Sequence, residues 1–192
     1  MIATAVRVLP AADRTAVAWK NGGGVTREIA CSPRGADMAG FGWRVSLAEV
    51  AADGPFSAFP GVDRTLTMVE GDGMELTVDG RPALVGSLRE PRDFAGDVAT
   101  GCRLLGGPVV NLNVMWRRTA LPAPPAVAVV RGRLTLAPGT TLVVALTGEG
   151  AQVAGYALGR YDAVLVEGAG EGAGEGAGTL HARGPVAVVG GL

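Results

Sequence analysis

Apolar and polar positions alternate with a period of two along most of this chain. Arg64-Thr65-Leu66-Thr67-Met68-Val69-Glu70 is rich in β-branched residues and predicts a strand. Gly71-Asp72-Gly73 predicts the turn after it, and Met74–Val78 the returning strand, closed by Asp79-Gly80, a strong hairpin dipeptide. Further strands are predicted over Val25–Ile29, Phe41–Ala48, Val109–Arg117, Arg133–Ala137, Thr141–Leu146, Val153–Leu158, Asp162–Val166 and Pro185–Val189. Gly, Pro and Asp punctuate them, and no segment carries a helical stripe over three turns. Many short strands at near-regular spacing point to an all-β sandwich or barrel.

Leu121-Pro122-Ala123-Pro124-Pro125 has the composition of an extended connector. It divides a motif-rich part, residues 1–120, from a plainer aliphatic part, residues 121–192. The repeated Glu-Gly-Ala-Gly run from Glu167 to Gly178 cannot build a core and predicts a solvated loop without assigned function.

Composition narrows the function classes. The formal net charge is −1, so nothing steers the chain toward nucleic acid or an anionic membrane. No apolar run reaches bilayer length, and Met1–Asp13 holds no apolar core of signal-peptide size. Cys31 and Cys102 make neither a disulfide framework nor a metal or redox pair, and a cytoplasmic chain with reduced thiols is expected. His181 is the only histidine, so a metal site built from several imidazoles is excluded, and no cofactor is expected.

Candidate chemistry gathers in the first part. Trp19-Lys20-Asn21-Gly22-Gly23-Gly24-Val25-Thr26-Arg27-Glu28-Ile29 holds the only lysine, an amide, a hydroxyl and a carboxylate around three glycines. The spacing is neither that of a phosphate loop nor that of a dinucleotide fingerprint. It fits the lip of a small-molecule pocket, or a plain turn in a chain with 31 glycines. In Phe41–Ala48, Arg44, Ser46 and Ala48 share one strand face. In Gly54–Arg64, Phe56 and Phe59 anchor a turn-rich segment, and Arg64 shares a face with Leu66 and Met68. An inward guanidinium needs an anion or several carbonyls. A small carboxylate would supply one in fork geometry; Asp63, Glu28 or Glu49 would do so in a purely structural pairing. Asn111, Asn113 and Met115 share a face that suits either a polar-lined pocket or the wet side of a sheet.

Together these segments, with Asn113-Val114-Met115 and Arg117, resemble the HutD family, the histidine-utilisation D proteins, also called the Ves family. The matching stretches occur in the same order and cover the first two thirds of the chain. The resemblance implies a cupin fold. The expectation is a bicupin, two β-barrel, jelly-roll-like halves in one chain, with strands able to exchange between them. It also implies a protein encoded with histidine-degradation enzymes that restrains the pathway by binding an intermediate, formylglutamate or urocanate. The pocket is implied in the first half, with Arg64 as the ligand contact. The chain departs from the pattern at Asn111, near a position where the resemblance implies an acidic residue, and in the repeat near Glu167.

Two function classes follow. In the first, a regulatory protein binds a small carboxylate through Arg64. Asn21, Thr26, Arg44, Ser46 and Asn113 supply hydrogen bonds, Glu28 orients a cation or a ligand N–H, and Phe59 and Met115 line the site. In the second, a metal-independent enzyme acts on a similar acid, with Glu28 as general acid/base and Lys20 or Arg64 as electrophilic partner. A scaffold with a filled pocket is a third reading. A homodimer is compatible with all three.

Overall fold

The computed structural model describes residues 5–86, 90–169 and 178–192. They form β1 (Ala5–Leu9), β2 (Ala16–Ala18), β3 (Gly24–Ser32), β4 (Trp43–Val50), β5 (Gly54–Pro55) and β6 (Val62–Glu70). Next come β7 (Met74–Val78), β8 (Arg81–Val85), β9 (Arg92–Ala95), β10 (Thr100–Leu104), β11 (Val109–Arg117) and β12 (Ala126–Thr135). The chain ends with β13 (Gly139–Ala145), β14 (Ala151–Val153), β15 (Tyr156–Leu158), β16 (Ala163–Ala169) and β17 (Thr179–Gly190). The protein is all-β: among the described residues the one helical element is a single 3-10 turn, Ala11–Asp13. No helix there is long and apolar enough to cross a membrane.

The chain divides into two compact units, Arg14–Pro122 and Met1–Asp13 with Ala123–Leu192. In the first, a six-stranded antiparallel sheet runs β2-β3-β4-β11-β6-β9 and a four-stranded one runs β5-β10-β7-β8. Both sheets feed one apolar cluster: Val50, Leu66, Met68, Phe94 and Val109 come from the larger, and Met74, Leu76, Val85 and Cys102 from the smaller. Burying these faces drives the packing of sheet on sheet. The turn joining β7 to β8 has positive φ at Asp79 (48°) and Gly80 (71°), the twist that a tight hairpin requires.

In the second unit, seven strands form one sheet, ordered β1-β16-β13-β17-β14-β15 with β12 also on β17. Val143, Val164, Val166, Leu180 and Val186 form its core, with Val6 and Val8 of β1 packed against them.

Two local expectations change. Val153–Leu158 is not one strand but the hairpin β14–β15, turning at Ala154 (φ 51°) and Gly155 (φ 83°). Alanine in place of Asn or Asp at the first of these positions masked the turn. Glu167–Ala169, expected in the loop, extend β16: Glu167 pairs with Ala5 and Ala169 with Gly139. The rest of the expected loop, residues 170–177, lies outside the described residues.

Candidate ligand-binding site

A cavity of about 610 Å³ lies within the unit Arg14–Pro122. One wall is the six-stranded sheet, which contributes Thr26 of β3, Arg44 and Ala48 of β4, Arg64 of β6 and Asn111, Asn113 and Met115 of β11. Antiparallel register sets these side by side, with Met115 opposite Arg44 on one flank and Arg64 on the other. The mouth is framed by Val17–Asn21, by Met38 and by the segment holding Pro55, Phe56, Ser57 and Phe59.

The glycine-rich stretch is the hairpin turn from β2 to β3. The Trp19 N–H donates to the Gly24 carbonyl at 2.9 Å and the Gly22 N–H to the Trp19 carbonyl at 3.0 Å. Asn21 closes the turn by accepting from the Gly23 N–H at 3.0 Å, an Asx-type bond. Gly24 is required by close approach: a Cβ there would collide with the Glu49 carbonyl oxygen and lie 3.1 Å from the Trp19 ring. The bare backbone lets Trp19 lie across β3, where its Nε1–H donates to Thr26 Oγ1 at 2.7 Å. Lys20 and Asn21 are exposed at the mouth.

Arg64 is the centre of the site. It is 7% exposed, yet none of its candidate carboxylate partners serves it. Glu28 pairs with Arg44 (2.7 Å), Glu49 with Arg27, and Asp63 with Arg118 (2.6 Å). Its Nε and Nη2 both donate to Asn113 Oδ1 at 3.3 Å, and its Nη1 is buried without a partner. Three rings surround the guanidinium carbon, Phe94 at 5.1 Å, Phe56 at 5.2 Å and Phe59 at 5.7 Å. Burial, then the nearby charge of Arg44, pushes the Arg64 pKa down to about 10. Rings stabilise a cation only in part, and a buried, unpaired N–H remains costly.

Among the sequence-derived candidates, Arg64, Asn21, Thr26, Arg44, Phe59, Asn113, Met115 and Lys20 line the cavity. Glu28 and Ser46 are not among its lining residues. A register shift between Glu28 and Ala30 interrupts the pairing of β3 with β4, and the Glu28 carboxylate is engaged by Arg44 Nε. Ser46 is 1% exposed and its Oγ has no partner. Trp19, Phe56 and Asn111 line the cavity as well; the period-two phase of β11 already put Asn111 beside Asn113, whereas Phe94, a third ring on Arg64, carries no sequence signal. No Asp or Glu lines the cavity among the described residues, and no three His, Cys, Asp or Glu side chains there could hold a metal ion. The site is therefore cationic and apolar, suited to an anion with its charge at Arg64.

Comparison with known proteins identifies the family and the fold. The HutD family model matches residues 11–184. Two solved structures are similar over nearly their whole length. HutD from Pseudomonas fluorescens SBW25 is 33% identical with a TM-score of 0.77, covering 96% of this chain and 97% of that one. The conserved protein of unknown function PA5104 from Pseudomonas aeruginosa PAO1 is 32% identical with a TM-score of 0.80, at the same coverage. An uncharacterised 21.2 kDa protein in the hutC 3′ region of Pseudomonas putida is 40% identical over 111 residues, 58% of each chain. Protein Ves of Citrobacter koseri is 41% identical over 113 residues, 57% of each. The chain thus spans under three fifths of the length of these curated relatives. Ylba from E. coli, at 9% identity and a TM-score of 0.65, shares the fold alone. The match over residues 11–184 places the chain in the HutD family.

Proposed function

We propose that this protein binds a small carboxylate in the cavity around Arg64 and thereby regulates histidine utilisation. The observation that carries the reading is the buried guanidinium. A fixed cation that lines the cavity, with one guanidinium nitrogen unpartnered and no carboxylate partner, is prepared for an exogenous anion. Asn113 holds one edge of Arg64 and leaves Nη1 for the ligand. Arg44, oriented by Glu28, adds a second positive charge on the same wall, and Thr26, Asn21 and Asn111 offer polar contacts. The ligand class is that of histidine-degradation acids such as formylglutamate or urocanate. A relative in the hutC 3′ region supports the pathway, and the two compact units are read as the halves of a bicupin with the ligand in the first.

The test is calorimetric titration of formylglutamate and urocanate into wild type, Arg64→Ala and Arg64→Lys, each first shown to be folded. A charge-assisted, forked contact contributes about 1.5–3 kcal/mol, so Arg64→Ala weakens binding roughly ten- to a hundredfold. Arg64→Lys recovers part of this, because an ammonium cannot form the fork. A folded Arg64→Ala that binds as tightly as wild type refutes the role of Arg64. A wild type that binds neither acid refutes the ligand class.

A further inference from the structure

Arg118 lies just beyond β11, outside the cavity lining. It closes a surface clasp around the turn that delivers Phe59 and Arg64 to the site. Its Nε and Nη2 donate to Asp63 Oδ1 at 3.0 and 2.6 Å. Its Nη1 donates to Asp97 Oδ2 at 2.7 Å and its Nη2 to Asp97 Oδ1 at 3.1 Å. Its backbone N–H donates to the Gly61 carbonyl at 3.1 Å. One residue thus ties three places: the turn at Gly61, the residue preceding Arg64, and the end of the β9 segment.

The clasp abuts the Arg64 cage directly. Asp97 follows Gly96, whose N–H donates to the Val62 carbonyl at 2.7 Å and whose carbonyl accepts from the Phe59 N–H at 2.7 Å. A Cβ at Gly96 would meet the Arg64 Cδ at 3.4 Å and Cγ at 3.5 Å, so the Gly96 backbone lies against the Arg64 stem. Phe94, two residues earlier, pairs with Arg64 across β9 and β6 and faces its guanidinium. The stem of Arg64 and two of its three rings therefore rest on segments that Arg118 ties together. We propose that Arg118 is a positioning residue that holds Arg64 and its aromatic cage in the anion-binding geometry, an inference that rests on the carboxylate-binding reading above.

The location of the clasp makes the role separable from stability. The Arg118 side chain is 41% exposed, with Asp63 and Asp97 at 30% and 33%. Exposed ion pairs contribute little to folding, whereas displacing a neighbour of a ligand contact by an ångström is felt in binding. Arg117, the preceding residue, serves as the control. It fastens a different segment, donating to the Phe41 carbonyl at 2.9 Å and the Ala39 carbonyl at 2.5 Å.

The experiment uses the full chain, with wild type, Arg118→Ala, Arg118→Lys, Asp97→Asn and Arg117→Ala. Two quantities are measured. The first is the Kd for formylglutamate and urocanate; the second is the NMR signal of the Arg64 Nε–H, identified by its loss in Arg64→Lys. Arg118→Ala should raise Kd roughly three- to tenfold, the scale of coupling between groups in contact. Its Tm should move by less than about 2 °C, as for an exposed pair. The Arg64 Nε–H should broaden or exchange several-fold faster, Arg118→Lys should restore part of both effects, and Asp97→Asn should fall between. In an Arg64→Ala background, Arg118→Ala should change Kd no further. Unchanged Kd and an unchanged Nε–H signal in a folded Arg118→Ala overturn the proposal. An equal loss in the Arg64→Ala background, or an equal effect of Arg117→Ala on the Nε–H signal, also overturns it. If wild type binds neither acid, the functional reading fails, and the Nε–H signal still decides whether Arg118 positions Arg64.

Discussion

Replacing Arg64 by methionine should stabilise the unliganded protein while weakening ligand binding roughly ten- to a hundredfold. The fall of the Arg64 pKa from the ordinary guanidinium value to about 10 corresponds to about 3 kcal/mol against the charged form in the folded chain. The sign follows from a base whose folded pKa is depressed. The destabilisation is complete below about pH 10 and fades as pH rises from 10 toward the ordinary guanidinium value, so it acts in full at neutral pH. The faces of Phe56, Phe59 and Phe94 already offset part of it, each by on the order of 0.5 kcal/mol or more. Methionine has a similar unbranched reach, packs well against rings and removes the charge. Asn113 Oδ1 loses the two bonds it accepts from Arg64, but it borders the cavity, where water can replace them. The net expectation is a gain of about 1 kcal/mol, or roughly 2–4 °C in Tm. The assay is thermal unfolding at neutral pH with and without formylglutamate or urocanate. At a hundred times the wild-type Kd, wild type should gain about 2.7 kcal/mol from ligand, and a variant bound ten- to a hundredfold more weakly only about 0.4–1.4 kcal/mol. A Tm for unliganded Arg64→Met more than about 3 °C below wild type would refute the reasoning, because Arg64 would then stabilise the fold rather than serve the ligand.

Two further substitutions probe the walls. Gly24→Ala forces a Cβ into the Glu49 carbonyl and the Trp19 ring. It should cost about 1–3 kcal/mol in urea unfolding and shift Trp fluorescence, and a neutral outcome would show that the hairpin gives way freely. Glu28→Gln removes the counter-charge of Arg44 without altering shape. Carboxylate affinity in titration should hold or rise by a few-fold at low salt, whereas an enzyme using Glu28 as general base would lose turnover by about 100-fold or more.

Much of the architecture is legible in residue order because it rests on short-range rules. Period-two alternation locates β6, β7 and β11, and Asp79-Gly80 marks the β7–β8 turn, since side-chain alternation and positive φ are local properties. The same alternation puts Arg64 beside Leu66 and Met68, and Asn111 beside Asn113 and Met115. It does not say which face meets a cavity, because β6 and β11 are buried on both faces. Nor does it choose the partner of Arg64. Asp63, Glu28 and Glu49 were equally available in sequence, and only packing assigns them to Arg118, Arg44 and Arg27. Phe94 reaches Arg64 from thirty positions away because β9 pairs with β6, and β1 joins β16 across the length of the chain. Sequence by itself therefore determined which segments extend, where they turn and which residues carry charge. Tertiary structure decided which charge stays unpaired, because counter-ion choice and strand order depend on long-range contacts whose closure entropy no local pattern records.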